Sequence, residues 1–314
     1  MKKPIGKKNI FVIPSWFPTI FQPLQGTFTK EQIEALEVYA GGEYRFIVSY
    51  WGFNDTEVSF YSPSDALKKI IHFTSKKNHH FTENGVHYIE TPYLNISNKI
   101  PYFGSFDRLI GAHLKSIRMA ESLFGSIDLI HAHVSYPAGY LSSKLSSILQ
   151  IPYVITEHMA PFPFDRYKKG DRAIPEINEA ILNASAVIAV SDAHAAQIES
   201  YDYPRPFVIP NLVNEDLFQP LDIQISKKPF RYFSLGHLEK RKGIHDLLVA
   251  VALWNPAQKD VKFGIGGTGE EFQALKLQAK ELNVEHLIEW YGDMSREKVA
   301  NYMQNCQAFV LPSY

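Results

Sequence analysis

Short apolar runs alternate with longer segments of helical periodicity along the chain. Runs such as AVIAV at 186–190 have no polar position on either face, which is typical of strands in a sheet that is covered on both sides. The pattern predicts strands at 9–13, 44–50, 86–91, 128–133, 153–156, 186–190, 207–209, 231–235, 261–265, 287–291 and 308–311. Helices are predicted at 29–39, 106–124, 138–149, 174–183, 192–201, 244–254, 270–282 and 296–305. This alternation favours an α/β fold with parallel sheets.

The alternation is interrupted between residues 210 and 229. This stretch is rich in Pro, Asn and Asp and has little periodicity, so we interpret it as a connection between domains. We expect an N-terminal Rossmann-like domain at 1–209 and a C-terminal domain at 230–314. No helix follows the last predicted strand. The second domain is therefore expected to be incomplete, to expose an apolar patch and to promote aggregation.

Composition and charge exclude several classes of protein. A net charge of −1 argues against a nucleic-acid binder that relies on bulk attraction. The single cysteine, Cys306, cannot form an intramolecular disulfide. The apolar patch at Ile10–Ile13 is too short for a signal peptide, and no stretch approaches the ~18 uncharged apolar residues of a membrane span. These features predict a cytoplasmic protein.

The predicted helix at 106–124 leaves a second location open. It carries Arg108, Lys115 and Arg118 beside apolar positions, an arrangement that suits peripheral contact with the inner face of a membrane. The alternative is that the helix packs on its own domain with the basic side in water.

Three consecutive cations, Lys240, Arg241 and Lys242, stand directly before a predicted helix. Positive charge at a helix N-terminus is unfavourable because the unpaired N–H groups there are themselves positive, whereas an anion is favoured at the same place. His237 follows the preceding strand and Gly243 precedes the helix. The loop is therefore suited to a phosphorylated ligand, although a basic loop can also be merely solvated.

A second candidate phosphate loop lies at residues 264–269. Its sequence, GIGGTG, matches G-x-G-x-x-G between a strand and a helix, which by itself indicates a dinucleotide-binding enzyme and makes an NAD-linked oxidoreductase the alternative function. However, Thr268 and Glu271 form a capping-box pattern, and Glu270 adds negative charge. The loop is also not the first βα turn of its domain, where the dinucleotide motif belongs. The charges favour the loop at 240–243.

Four segments resemble, in order, the nucleotide-sugar glycosyltransferases of the GT-B fold, in particular glycosyltransferase family 4. They are PLQGTFTKEQIEAL (23–36), DLIHAHVSYPAGYLSSKLSSILQIPYVITEHM (128–159), ASAVIAVSDAHAAQI with VIPNLVNEDLFQP (184–220), and SLGHLEKRKGIHDLL through AFVLPSY (234–314). The resemblance implies two facing Rossmann-like domains, the second holding most of a nucleotide-sugar donor and the first most of a glycan or lipid-linked acceptor. It implies a retaining hexosyltransferase of cell-surface polysaccharide synthesis that uses no cofactor.

The resemblance also implies a set of donor-binding residues. Lys242 matches the lysine that neutralises the donor diphosphate, with Arg241 beside it. His237 stands where the family commonly has an arginine, and histidine, unlike arginine, is only partly charged near neutral pH. Gly266 and Gly267 complete the donor-binding set in this half of the chain.

In the first half of the chain, the resemblance implies that Gly26 and His158 belong to the site. Gly26 matches the turn where backbone approaches the donor phosphates, and His158 matches a histidine on the acceptor and sugar side, which we assign to catalysis. The family's E-x7-E motif would begin after Tyr314 and is absent from this sequence. We therefore keep open an inactive fragment or a non-catalytic nucleotide-binding remnant.

The sequence offers little support for metal or nucleophilic catalysis. It contains no Asp-x-Asp, the pattern with which metal-dependent transferases would anchor a diphosphate. His131 and His133 lie on the same face of a predicted strand, but the sequence shows no evident third zinc ligand. No Ser-His-Asp or Cys-His set is evident. We therefore expect a metal-independent enzyme in which fixed positive groups stabilise the leaving diphosphate.

Overall fold

The computed structural model describes residues 6–52, 77–93, 106–220, 229–254 and 260–314, together with positions 64, 67, 68, 70 and 71. Its contacts divide the chain into two compact units, Met1–Leu212 and Val213–Tyr314, called the first and the second unit below. Each strand and helix predicted from the hydrophobic pattern has a counterpart, with ends displaced by a few residues at most.

The first unit contains an eight-stranded sheet within the described ranges, in the order β10-β9-β6-β5-β1-β2-β4-β3. Neighbouring strands run parallel, except that β3 is antiparallel to β4. The strands are β1 (Lys8–Pro14), β2 (Tyr44–Tyr50), β3 (His79–Glu83), β4 (Val86–Glu90), β5 (Leu129–His133), β6 (Tyr153–Glu157), β9 (Ala186–Ala189) and β10 (Phe207–Val208). A separate two-stranded hairpin joins β7 (Lys168–Lys169) to β8 (Arg172–Ala173).

Helices cover both faces of this sheet, as the apolar strands require. They are α1 (Thr27–Ala40), α2 (Phe106–Phe124), α3 (Tyr140–Leu149), α4 (Pro175–Leu182) and α5 (Asp192–Glu199). Alternate residues of β1 face opposite layers: Ile10 and Val12 pack with Ile33 of α1, whereas Phe11 and Ile13 belong to the core formed with α2 and α3. The alternation of side chains along β1 therefore places its residues in two apolar layers, one on each face of the sheet.

The second unit contains a four-stranded parallel sheet among its described residues, in the order β13-β12-β11-β14. The strands are β11 (Phe230–Leu235), β12 (Val261–Gly266), β13 (Ile288–Gly292) and β14 (Ala308–Phe309), and the helices are α6 (Ile244–Trp254), α7 (Phe272–Glu281) and α8 (Arg296–Asn305). Leu248 of α6 and Leu275 of α7 pack on Phe263 at one face. Val299 of α8 packs with Phe233 at the other.

Strand β3 was not predicted from the sequence. Its residues, HHFTE, contain no apolar run, and all of them are at least partly exposed, because the strand lies at the sheet edge. The turn to β4 uses Asn84 and Gly85, both with positive φ, which is the Asn-Gly pattern of a hairpin. The pattern of apolar residues alone could not reveal this strand.

Helix α2 packs on its own unit. Leu109 and Ile117 are buried in the core, whereas Arg108, Lys115 and Arg118 are exposed. This arrangement is the one expected if the helix packs on its own domain with its basic side in water. Within the described ranges, no helix combines the length and the apolar character needed to cross a bilayer.

Candidate functional site

Gly26 forms a tight turn between the loop that follows β1 and helix α1. Its backbone is left-handed, with φ 67° and ψ 22°, and it is the residue that precedes the helix. A Cβ at this position would collide with the carbonyl group of Trp16 and lie 2.7 Å from the backbone nitrogen of Phe17. Glycine is therefore required both by the conformation and by the close approach of two backbone segments.

His158 lies immediately after β6, at the carboxyl end of the first unit's sheet. Its Nε2 is 3.0 Å from Nδ1 of His133, and its ring centroid is 4.8 Å from that of Phe28. Phe28 belongs to the first turn of α1, two residues after Gly26. The structure therefore brings His158 and the Gly26 turn together within the first unit.

A row of histidine rings leads from β5 to His158. His131 and His133 point to the same side of β5, with ring centroids 4.4 Å apart, and Nε2 of His131 is 2.8 Å from Oγ1 of Thr156. Desolvation by burial lowers the pKa of His131 to about 4 and that of His158 to about 3. It also lowers the pKa of His133 well below its ordinary value. The three rings are therefore neutral at pH 7.

These histidines bond to one another and to a hydroxyl group rather than forming a metal cage. Among the residues that the structure describes, no group of three or more His, Cys, Asp or Glu side chains is placed to hold a metal ion.

Glu157 was not predicted as a site residue. Its carboxylate is fully buried and accepts backbone N–H groups from Ser135, His158 and Met159, each at 2.8 Å. It thereby connects the end of β6 to the segment after β5. Buried polar oxygens need hydrogen-bond partners, so these contacts fix the local backbone around His158. The available sequence signal was an acid at the end of a buried strand, directly before that histidine.

The cationic residues of the second unit form a turn of their own. Lys240–Lys242 is a single 3-10 turn, Gly243 ends it with φ 66°, and α6 begins at Ile244. A Cβ on Gly243 would collide with the carbonyl oxygen of Pro312. The prediction that the cations directly precede the helix is confirmed, and the turn keeps them out of the first helical turn.

The cations of this turn differ in their partners. Nη2 of Arg241 is 2.8 Å from Oε1 of Glu239, so Arg241 already has an ion-pair partner. No carboxylate lies within ion-pair distance of Lys242 in the described part of the chain. Burial and, after it, the nearby Arg241 charge lower the pKa of Lys242, while the charge of Glu239 opposes this shift. His237 is exposed. Lys242 is therefore the half-buried cation best suited to an anionic ligand.

Gly264 and Gly266 have a packing role that explains the glycine-rich motif. Both lie inside β12 and are buried. A Cβ would come within 2.5 Å of the Tyr291 ring at Gly264, and within 2.5 Å of Sδ of Met294 at Gly266. Glycines that are needed for close packing inside a strand do not by themselves indicate a dinucleotide loop.

Gly267 supports the segment that leads to the cationic turn. Its φ is +109°, and a Cβ there would collide with the carbonyl oxygen of Gly236. The backbone nitrogen of Gly236 donates to Gly266 at 3.2 Å, and that of Leu238 donates to Thr268 at 2.8 Å. The methylene groups of Lys242 begin 3.7 Å from the position of a Cβ on Gly236. The glycine-rich loop at 264–269 is thus joined to the segment before the Lys240–Lys242 turn by backbone hydrogen bonds and close packing.

The predicted capping box at Thr268 and Glu271 is wrong. Thr268 donates its hydroxyl to Oδ1 of Asp293 at 2.7 Å. Helix α7 begins at Phe272, and Glu271, which precedes it, makes no side-chain cap hydrogen bond. The Thr268 hydroxyl therefore bonds to Asp293, which follows β13 and is distant in sequence, instead of capping α7 as the local pattern predicted.

Two family models match the chain. Residues 218–314 match "Glycosyl transferases group 1", and residues 57–217, more than half of the chain, match "Glycosyltransferase Family 4". The chain belongs to glycosyltransferase family 4. The group 1 match includes the cationic turn and the glycine loop, and the family 4 match includes His158.

Relatives of this family 4 member include named glycosyltransferases. TuaC of Bacillus subtilis (strain 168), named for teichuronic acid biosynthesis, is 25% identical over 324 residues, which cover 98% of this chain and 75% of TuaC. A D-inositol 3-phosphate glycosyltransferase of Corynebacterium jeikeium is 27% identical over 215 residues, covering 60% of this chain and 51% of that protein. The chain thus spans between about half and three quarters of these two relatives.

Solved structures show the same fold. Anabaena Alr3699/HepE in complex with UDP-glucose matches with a TM-score of 0.64 at 19% identity, covering 98% of this chain and 74% of that one. The lipopolysaccharide outer core galactosyltransferase WaaB, in its apo form, matches with a TM-score of 0.57 at 17% identity, covering 97% and 74%. This family 4 member therefore has the GT-B fold, with two Rossmann-like domains.

Proposed function

We propose that this family 4 member is a retaining glycosyltransferase that moves a sugar from a nucleotide-sugar donor to a glycan or lipid-linked acceptor in cell-surface polysaccharide synthesis. The observation that carries the proposal is Lys242, a half-buried cation that makes no ion pair among the described residues, because nearby Glu239 pairs with Arg241 instead. It lies just beyond the carboxyl end of β11, where open α/β sheets bind their ligands. A donor diphosphate would supply the negatively charged ion-pair partner that Lys242 lacks.

The energetic case rests on the cost of burying a cation. Desolvation of Lys242 is unfavourable unless a negative group compensates it, and a charge-assisted hydrogen bond contributes about 1.5–3 kcal/mol. The same positive charge would stabilise the leaving diphosphate as the sugar–phosphate bond breaks, because that charge increases in the transition state. Arg241 is less suited to this role because Glu239 already pairs with it.

The other site residues have distinct roles in the proposal. Gly266 and Gly267 hold the segment next to Lys242, and exposed His237 adds a weaker donor at its edge. Gly26 allows the backbone at the start of α1 to approach the donor phosphates. His158 acts on the sugar side as a neutral imidazole, because desolvation by burial lowers its pKa to about 3.

The names of similar proteins support the substrate class. Alr3699/HepE has structures with UDP and with UDP-glucose, so we propose a nucleotide-sugar donor for this chain as well. TuaC is named for teichuronic acid biosynthesis, and WaaB for the lipopolysaccharide outer core. Both names support an acceptor of the cell envelope.

A panel of sugar nucleotides tests the proposal. The full chain is incubated with each donor and with membrane or glycan acceptors, and release of nucleoside diphosphate is measured for the wild type, Lys242→Ala and Lys240→Ala. Lys240 is exposed and belongs to the same turn, so it is a matched control for loss of charge. We expect turnover that Lys242→Ala abolishes and that Lys240→Ala leaves within about threefold.

Other outcomes would select other functions. Tight donor binding without release of diphosphate would indicate a nucleotide-binding protein without catalysis. Saturable binding of NAD, with no binding of sugar nucleotides, would favour the oxidoreductase. Loss of turnover after dialysis against a chelator, restored by a divalent cation, would refute metal independence.

Membrane contact is tested separately. If α2 rests on an anionic membrane, the full chain should float with vesicles that contain anionic lipid and not with neutral vesicles. Replacing Arg108, Lys115 and Arg118 by Ala should then release it. Equal recovery with both kinds of vesicle would refute the charge-dependent contact, and no recovery with either would leave α2 as a helix that only packs on its own unit.

A further inference from the structure

His133 and His158 form a hydrogen-bonded imidazole pair at the carboxyl ends of β5 and β6. Besides the 3.0 Å contact between Nδ1 of His133 and Nε2 of His158, the two rings are nearly parallel, at 9°, with centroids 5.3 Å apart. The register of β5 and β6 places His133 opposite Thr156, two residues before His158. The pair is therefore set by the sheet itself.

The environment of His133 restricts the motion of its ring. The side chain is 1% exposed, and His131 stacks on it from the preceding position on the same strand face, at 4.4 Å. His158, by contrast, is only partly buried. The more rigid member of the pair therefore lies on the strand, and the member at the strand end is held by it.

We propose that His133 is a positioning residue for His158: it occupies Nε2 of His158 and so leaves Nδ1 as the ring atom that meets the substrate. This inference rests on the proposed function, in which His158 belongs to the catalytic site. Nδ1 of His158 is enclosed and has no hydrogen-bond partner among the described residues. Buried polar atoms are rarely left unpaired, so an oxygen of the substrate is a suitable partner for it.

Pairs of amide variants separate the two nitrogens of each ring, because the side-chain amide of Asn lies near the position of Nδ1 and that of Gln near the position of Nε2. His133→Asn can still donate to His158, whereas His133→Gln cannot. We expect His133→Ala and His133→Gln to lower kcat on the order of 10- to 100-fold, as misplacement of a catalytic group does. The KM for the donor should change little, and His133→Asn should recover most of the loss.

The same comparison at His158 tests which nitrogen meets the substrate. His158→Asn should keep more activity than His158→Gln, since Asn retains a polar atom near Nδ1. The reverse order would overturn the assignment. His113 is the matched control, because it is fully buried and is bonded through Nδ1 to Ser49 at 3.0 Å. Its two amide variants should leave kcat unchanged whatever they do to stability.

A spectroscopic measurement on the wild type covers the case in which variants do not fold. In protein labelled with ¹⁵N-histidine, a scalar coupling across the hydrogen bond should connect Nδ1 of His133 to Nε2 of His158. Sharp signals for both rings without that coupling would refute the pair. This result does not depend on turnover. An inactive wild type that shows the coupling would therefore count against the proposed function and not against the pair.

Discussion

Replacing Gly267 by Ala should damage the donor half of the site through the backbone alone. Gly267 has φ +109°, and a Cβ there would collide with the carbonyl oxygen of Gly236. Gly236 in turn lies against the methylene groups of Lys242. The substitution adds no charge and removes no polar side chain, so any loss of donor affinity would arise from movement of this backbone.

The expected magnitude follows from two contributions. A left-handed conformation costs an alanine about 1–2 kcal/mol. The collision also displaces the segment from Gly236 to Leu238, which weakens the hydrogen bonds from Gly236 to Gly266 and from Leu238 to Thr268, each contributing about 1 kcal/mol. The free energy of unfolding should therefore fall by about 2–4 kcal/mol. In a unit of about 100 residues, this corresponds to a decrease in Tm of roughly 10–30 °C.

Calorimetry of thermal unfolding, combined with titration of a nucleoside diphosphate, measures both effects. Gly125→Ala is the control, because Gly125 also has a positive φ, +91°, but a Cβ there would meet no atom within 4 Å. It should lose only the conformational contribution, about 1–2 kcal/mol, and keep its affinity for the diphosphate. Equal losses of stability in the two variants, with unchanged affinity in both, would refute the collision argument.

Two further predictions concern the first unit. His113, His131 and His158 have pKa values lowered by burial, to about 3, 4 and 3, so they stay neutral when folded but take up protons near pH 6.5 when unfolded. Their contribution to stability is present above that pH and is lost as the pH falls from about 6.5 toward the folded-state pKa values of about 3 to 4. His113→Gln should reduce this slope by up to about 1.4 kcal/mol per pH unit, measured by urea unfolding between pH 7 and 5; an unchanged slope would contradict the lowered pKa. Ser191→Ala should destabilise the protein by about 1 kcal/mol, because the Ser191 hydroxyl accepts the backbone N–H of His194 at the start of α5; no change in the urea midpoint would show that this cap contributes nothing.

The hydrophobic pattern predicted the elements well because most of them bury a continuous or periodic apolar face. Helices α2, α6 and α8 begin and end at the predicted residues. The pattern failed where burial does not decide the structure, as in the exposed edge strand β3. It also failed where a distant partner competes with a local one, as Asp293 does for Thr268.

The interactions of the candidate site residues could not be predicted from the sequence. Sequence reasoning selected Lys242 and His158, yet it could not show that Glu239 forms its ion pair with Arg241 rather than with Lys242. It also treated His133 as an improbable zinc ligand. The contact between His133 and His158 depends on the register of β5 and β6, which the sequence pattern does not define.

In the proposed function, Lys242 binds the diphosphate of the donor. Isothermal titration of a nucleoside diphosphate into the wild type, Lys242→Ala and Lys240→Ala tests it most directly. Loss of a charge-assisted contact of about 1.5–3 kcal/mol should weaken binding to Lys242→Ala by roughly 10- to 150-fold, while Lys240→Ala should bind nearly as the wild type does. Equal affinity of the wild type and Lys242→Ala would show that Lys242 does not bind the diphosphate.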